Sequence, residues 1–100
     1  MRSRFALAVL VLLIAAAFAP LRAHEKFKIV GTVLKVHAEQ LDVKGVDGST
    51  YEMDMFDSAP VFRRNAKVAR SELRPGTKVT VHALGHDLFD LEVTEVHITD

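Results

Sequence analysis

The chain has 100 residues, contains no cysteine, and carries 13 Lys+Arg against 13 Asp+Glu, so its formal net charge is zero. The absence of cysteine excludes a disulfide scaffold and a cysteine-linked lipid anchor, and the charge balance argues against a polyanion-binding protein, which would be strongly basic. A chain of this length has room for one modest hydrophobic core and for no separate substrate domain.

The first residues have the order of a secretory signal peptide: a basic start, an apolar run at 5–19, and the small residue Ala23 before charged residues begin. The apolar run is shorter than the roughly 20 residues that span a bilayer, which disfavours the alternative of an uncleaved anchor. We expect cleavage after Ala23 and not four residues earlier, where Pro20 would follow the cut. The prediction is a signal peptide at 1–23 and one domain at 24–100, periplasmic or secreted, with no stable membrane insertion after cleavage.

Residues 27–37 form the first predicted strand, because they are rich in β-branched side chains and lack a helical period. Gly31 in the middle of this run predicts a bulge or a sharp bend. The second and third strands are predicted at 40–44 and 50–55, joined by a turn at Asp47-Gly48, a strong hairpin signal between alternating runs.

Two registers are open for this hairpin. A two-residue turn would place Val43 opposite Glu52, and the methionines of the third strand would then share a face with Asp42. A three-residue loop with a bulge would place Val43 opposite Met53 and Leu41 opposite Met55. We favour the second register, because the first would bury two carboxylates.

The second half of the chain predicts a short extended piece at 61–63, a turn at 65–67 and one helical turn at 69–73 that ends before Pro75-Gly76. Residues 77–83 alternate, which predicts a strand with Val79 and Val81 inside and His82 outside. The last strand is predicted at 88–99. Its apolar residues change parity, so we expect a bulge near Thr94-Glu95.

Together these elements predict an all-β fold, a small five-stranded OB-like barrel with a short helical turn between strands three and four. An SH3-like barrel is the main alternative. The chain resembles small exported bacterial domains of unknown function with such a barrel, through Gly31-Thr32-Val33 and a Leu-x-x-Gly-x-x-Val segment at Leu73, Gly76 and Val79. This resemblance implies an exported binding or accessory module whose ligand is unknown.

Glu52-Met53-Asp54-Met55 resembles the Glu-Met-x-Met segment of CusF-like periplasmic copper/silver chaperones. In that family two methionines and a histidine bind the metal and a tryptophan caps it. The resemblance implies a Cu(I) or Ag(I) site at Met53 and Met55, for which His37 at the end of the first strand is the best available third ligand. The chain departs from the family in having no tryptophan, and in having Lys44-Gly45 where the family's histidine lies.

Several interpretations compete for these residues. Thioethers suit Cu(I), but two methionines two residues apart on a strand also point into a core, and the favoured hairpin register supports the core. We interpret His82, His86 and His97 as scattered surface histidines. If cleavage follows Ala23, the α-amino group and imidazole of His24 could chelate Cu(II), which we keep as a minor hypothesis.

No enzyme signature is present: the serines lie in no nucleophile-elbow context, and there is no phosphate-binding glycine loop or HExxH motif. Cleavage would remove three arginines and no acidic residue, so the domain would be net negative and poor in stacking aromatics. We therefore expect a non-catalytic binding module with no required cofactor, whose partner is an unidentified protein or small ligand. A Cu(I)/Ag(I)-binding protein is the leading alternative, ahead of a module for an anionic or nucleic-acid ligand.

Overall fold

The computed structural model describes residues 24–100, and the expected signal peptide at 1–23 lies outside this range. The described chain is all-β apart from one turn of 3₁₀ helix at Arg70–Glu72. Its seven strands are β1 (Glu25–Val36), β2 (Gln40–Gly45), β3 (Thr50–Asp54), β4 (Val61–Arg63), β5 (Ala66–Val68), β6 (Lys78–Gly85) and β7 (Leu91–Ile98).

Five of the strands form a ring in the order β3-β2-β1-β6-β7. The ring closes where β7 pairs in parallel with β3, through Asp54 and Glu92. Farther along β7, the same edge pairs in parallel with β4, through Val61 opposite Val96. The all-β class and the barrel-like arrangement are confirmed. The helical turn lies in the segment between β3 and β6, which are the third and fourth ring strands in chain order.

The expected strand count of five is wrong, because residues 61–68 form an additional hairpin. β4 and β5 pair antiparallel, with Arg63 opposite Ala66. The two residues between them, Arg64 and Asn65, have φ values of 53° and 65°. Positive φ at both central positions is the signature of a two-residue hairpin turn, so residues 66–68 continue as a strand where a turn was expected.

The hydrophobic core occupies the interior of the ring and follows the alternation of the strands. Val79, Val81 and Ala83 of β6 are buried, while His82 between them is half-buried on the outer face. This confirms the predicted phase of that strand. The buried set also includes Ile29, Val33, Leu41, Val43, Tyr51, Met53, Met55, Val61, Leu73, Leu91, Val93, Val96 and Ile98.

The β2–β3 hairpin has the predicted faces but neither of the predicted registers. Val43 lies opposite Tyr51 and Leu41 opposite Met53, a shift of two residues from the favoured pairing. The loop has three residues: the N–H of Gly48 donates to the carbonyl of Gly45 at 2.9 Å, and Gly48 has a φ of 88°. A type I turn followed by a left-handed glycine is a common three-residue hairpin loop. Because the shift is even, the same side chains point inward.

The Asp47 side chain holds this loop to the strand that follows it. Its carboxylate accepts a hydrogen bond from the N–H of Ser49 at 2.9 Å and another from the hydroxyl of Tyr51. These two bonds lower the pKa of Asp47 below its ordinary value, and the bond from Tyr51 has the larger effect. The same Asp47–Tyr51 bond is the main cause of a raised pKa for the Tyr51 hydroxyl.

Both β7 and β1 contain a β-bulge, as predicted, but the one in β1 lies at a different residue from the one expected. Thr94 is the extra residue of β7, since His82 pairs with Glu95 and Ala83 with Val93. This bulge confirms the expectation near Thr94-Glu95. In β1 the register shift falls at Leu34, between Val33 and Lys35.

Gly31 of β1 is not the site of the bulge. It allows the backbones of β1 and β2 to approach closely. A Cβ at this position would lie 2.2 Å from the carbonyl oxygen of Lys44. A side chain there would therefore force β1 and β2 apart.

The 3₁₀ turn carries an arginine that ties together three chain segments. The Arg70 guanidinium donates to the carbonyls of His37 at 2.9 Å and Ala38 at 3.0 Å, and to that of Met55 at 3.4 Å. It thereby satisfies carbonyls at the end of β1 and just after β3.

Between residues 24 and 100, no helix has the length and apolar character needed to cross a membrane.

Candidate metal centre

The two methionines of the Glu-Met-x-Met segment lie in the core. Met53 and Met55 are both fully buried. Met53 packs in the barrel interior from β3, opposite Leu41 of β2. This placement agrees with the core interpretation of the pair.

His37, the expected third ligand, lies near the methionines in backbone position but not in side-chain direction. The shared hydrogen bonds to Arg70 bring the carbonyls of His37 and Met55 together. The His37 imidazole, however, is 48% exposed, and its Nε2 lies 3.1 Å from Oδ2 of Asp42. The imidazole is thus on the outer surface while the thioethers are inside, so the three residues do not form an open set of ligands for Cu(I) or Ag(I).

A different group of side chains converges on the outer face of β6 and β7. His82, Glu95 and His97 each offer a ligand atom, and these atoms all lie within 4.8 Å of one another. His82 is the cross-strand partner of Glu95, and His97 follows two residues later on the same face of β7. We call these three residues the His-Glu-His cluster.

Contacts within and around the cluster orient its side chains. Nε2 of His97 lies 3.2 Å from Oε2 of Glu95. The ring of His82 meets that of His97 edge-on, with centroids 5.4 Å apart, and Phe62 of β4 stacks on the other side of His97 at 5.1 Å. The Glu95 and His97 side chains remain 39% and 33% exposed, so the cluster is held in place and open to solvent.

The bulge of β7 is what places Glu95 in the cluster. Without a bulge, strict alternation after Val93 would turn Glu95 inward and Val96 outward. The extra residue, Thr94, faces outward, and its hydroxyl donates to the carbonyl of His82 at 3.0 Å. The irregularity that keeps Val96 in the core therefore also sets a carboxylate beside two imidazoles.

The sequence interpretation missed this cluster because it treated His82 and His97 as unrelated surface residues. Glu95-x-His97 is visible as a pair on one face of a strand. The third member, His82, joins them only through the pairing of β6 with β7, which depends on the position of the bulge.

Two imidazoles and one carboxylate form a donor set that suits a borderline divalent ion such as Zn²⁺ or Cu²⁺. Bonds of about 2.0–2.1 Å to a tetrahedral ion require ligand atoms about 3.4 Å apart, so small side-chain rotations would bring the three atoms into place. Three protein ligands leave a fourth position open for water or an exogenous ligand. Lys28 of β1 is the cross-strand partner of His82.

Comparison with known proteins supports the fold and does not assign a family. No family model matches the chain, and no curated protein matches it. Among solved structures, the chain is similar to the crystal structure of Ag(I)CusF, with a TM-score of 0.56 and 8% identity over 75% of this chain and 99% of that one. The resemblance to CusF-like proteins is therefore supported at the level of the fold.

Proposed function

We propose that the chain is an exported, non-catalytic metal-binding module built on a small OB-like barrel, and that the His-Glu-His cluster is its binding site. The observation that carries the proposal is the convergence of the ligand atoms of His82, Glu95 and His97 within 4.8 Å on the paired strands β6 and β7. The location, periplasmic or secreted, rests on the expected signal peptide at 1–23.

The type of ligand follows from the donor atoms. Imidazole and carboxylate favour Zn²⁺ or Cu²⁺, whereas Cu(I) and Ag(I) favour thioether and thiolate sulfur. Both thioethers of the CusF-like segment are buried, and the solved structure with the similar fold is that of Ag(I)CusF. We therefore propose that this chain shares the barrel of that protein and takes a different class of ion at a different place.

A Zn²⁺ titration by calorimetry tests the cluster. The wild-type domain should bind one equivalent, and His82→Ala, His97→Ala and Glu95→Gln should each weaken binding by at least about tenfold, since each removes one of three ligands. His37→Ala is the matched control, because this histidine is exposed and also paired with a carboxylate. Equal loss in the control, or no loss in the three variants, would refute the proposal.

The methionine pair makes a separate prediction with Ag⁺. Met53→Leu and Met55→Leu should each lower the free energy of unfolding by less than about 1.5 kcal/mol, being nearly volume-conserving. Neither should change the affinity for Ag⁺. Micromolar or tighter Ag⁺ or Cu(I) binding that disappears in both variants would instead support the CusF-like site.

A further inference from the structure

A second group of nitrogen ligands lies at the other end of β6, where the described chain begins. Glu25, the first residue of β1, pairs with Gly85, the last residue of β6. The residues flanking this pair are His24 and His86, and their ring centroids are 4.7 Å apart with the planes at 41°. The β1–β6 pairing thus fixes the two imidazoles side by side.

The two histidines line a small cavity with an acidic wall. Its volume is about 160 Å³, and its lining includes the carboxylate residues Asp54, Asp90 and Glu92. Among residues 24–100, no Lys or Arg lines it. The charge of this wall favours a cation and raises its local concentration.

We propose that the mature chain binds Cu²⁺ at this cavity through the α-amino nitrogen and imidazole of His24 together with the imidazole of His86. The proposal rests on the expected cleavage after Ala23, which converts the backbone nitrogen of His24 into a free amine. It does not depend on the His-Glu-His cluster, which lies farther along β6 and β7.

The geometry of His24 makes it a chelating residue only at a chain terminus. Its α-amino nitrogen and Nδ1 close a six-membered ring on one ion, whereas a peptide nitrogen at the same place is a poor ligand. Two nitrogens bound to one ion at about 2.0–2.1 Å lie at most about 4 Å apart. The centroids of the His24 and His86 rings are 4.7 Å apart, so rotation of the two rings can bring one nitrogen of each within that distance. Binding thus needs only a modest adjustment of the side chains.

The donor set selects copper among divalent ions. Three nitrogens with a carboxylate nearby suit the tetragonal geometry of Cu²⁺, and Cu²⁺ is the tightest binder of the first-row divalent series at such ligands. Asp54, Asp90 and Glu92 are placed around the cavity to supply the further oxygen.

The test uses the mature chain, with His24 as its first residue, in a His82→Ala/His97→Ala background that removes the cluster. Titration should find one Cu²⁺ equivalent, and electron paramagnetic resonance should show hyperfine splitting from three nitrogens. His86→Ala should reduce the count to two nitrogens and weaken binding at least tenfold. Acetylation of the α-amino group should have a similar effect, and His37→Ala should have none.

The outcomes separate this site from the cluster. Cu²⁺ binding that is lost in the His82→Ala/His97→Ala background alone would overturn the N-terminal site and leave the proposed function standing. Binding that survives there but is insensitive to acetylation and to His86→Ala would also overturn it. A mature chain that begins at a residue other than His24 would overturn it as well, because the proposed amine ligand would not exist.

Discussion

Neighbouring residues of one strand have opposite roles in this barrel, and β6 is the clearest case. Val81 is fully buried and pairs with Ile29 and Val96 across the sheet, whereas His82, the next residue, faces outward into the cluster. The first contributes to stability through buried apolar surface, and the second contributes a ligand atom. Substitutions at the two positions should therefore separate stability from metal binding.

Val81→Ala should lower the free energy of unfolding by about 1–3 kcal/mol, through lost burial and the cavity left behind. His82→Ala in the metal-free protein should change it by less than about 0.5 kcal/mol. Urea unfolding followed by circular dichroism measures both. Equal costs would mean that the strand phase is wrong.

Asp47 should make stability dependent on pH in the acid range. Its pKa is lowered in the folded state, so its contribution is complete above the ordinary value of 3.8 and is lost as the pH falls through the lowered pKa. Asp47→Asn should flatten the pH dependence of the urea midpoint below about pH 4. The control is Glu52→Gln, at an exposed position of β3. It should leave the decrease of the urea midpoint at acid pH largely as in the wild type.

At the scale of elements, side-chain alternation was enough to predict the five ring strands and their inward faces, but it left their registers open. The register of β2 and β3 is set by the hydrogen bonds of a loop whose left-handed residue is Gly48. The β4–β5 hairpin was missed because its turn, Arg64-Asn65, contains no glycine. Local conformations of this kind leave little trace in hydrophobic patterning, and tertiary pairing decides them.

The candidate sites were predictable to the same extent. The interior position of Met53 follows from strand parity and was favoured from the sequence. The His-Glu-His cluster needs a cross-strand partner, and the neighbouring positions of His24 and His86 need the pairing of β1 with β6. These contacts join residues far apart in the chain, so they could not be read from local spacing.

The 3₁₀ turn should act as a clamp on the ring through Arg70. Arg70→Lys should lower the free energy of unfolding by about 1–3 kcal/mol, because an ammonium group on a shorter side chain cannot reach the carbonyls of His37, Ala38 and Met55 together. The control, Arg74→Lys, alters an exposed arginine of the following loop and should cost less than about 0.5 kcal/mol. Equal effects in chemical denaturation would show that the guanidinium contacts carry no special weight.

For the whole molecule, export with cleavage after Ala23 is the prediction on which both location and the N-terminal site depend. Intact-mass measurement of the protein recovered from the periplasmic fraction of an expressing bacterium should find a chain that begins at His24. Recovery of the full-length chain in membranes would contradict this.

The closing contact of the ring determines where the barrel should open first. β3 and β7 pair through Asp54 and Glu92 alone, whereas β1 and β6 pair along eight residues of each strand. We expect local opening between β3 and β7 to be more frequent than global unfolding. Amide hydrogens next to this contact should therefore exchange with solvent faster than those of the β1–β6 pair. Met53 precedes Asp54 in β3, and each opening would briefly admit solvent to its thioether. The rate at which peroxide oxidises Met53 to the sulfoxide would then report how often the β3–β7 contact opens.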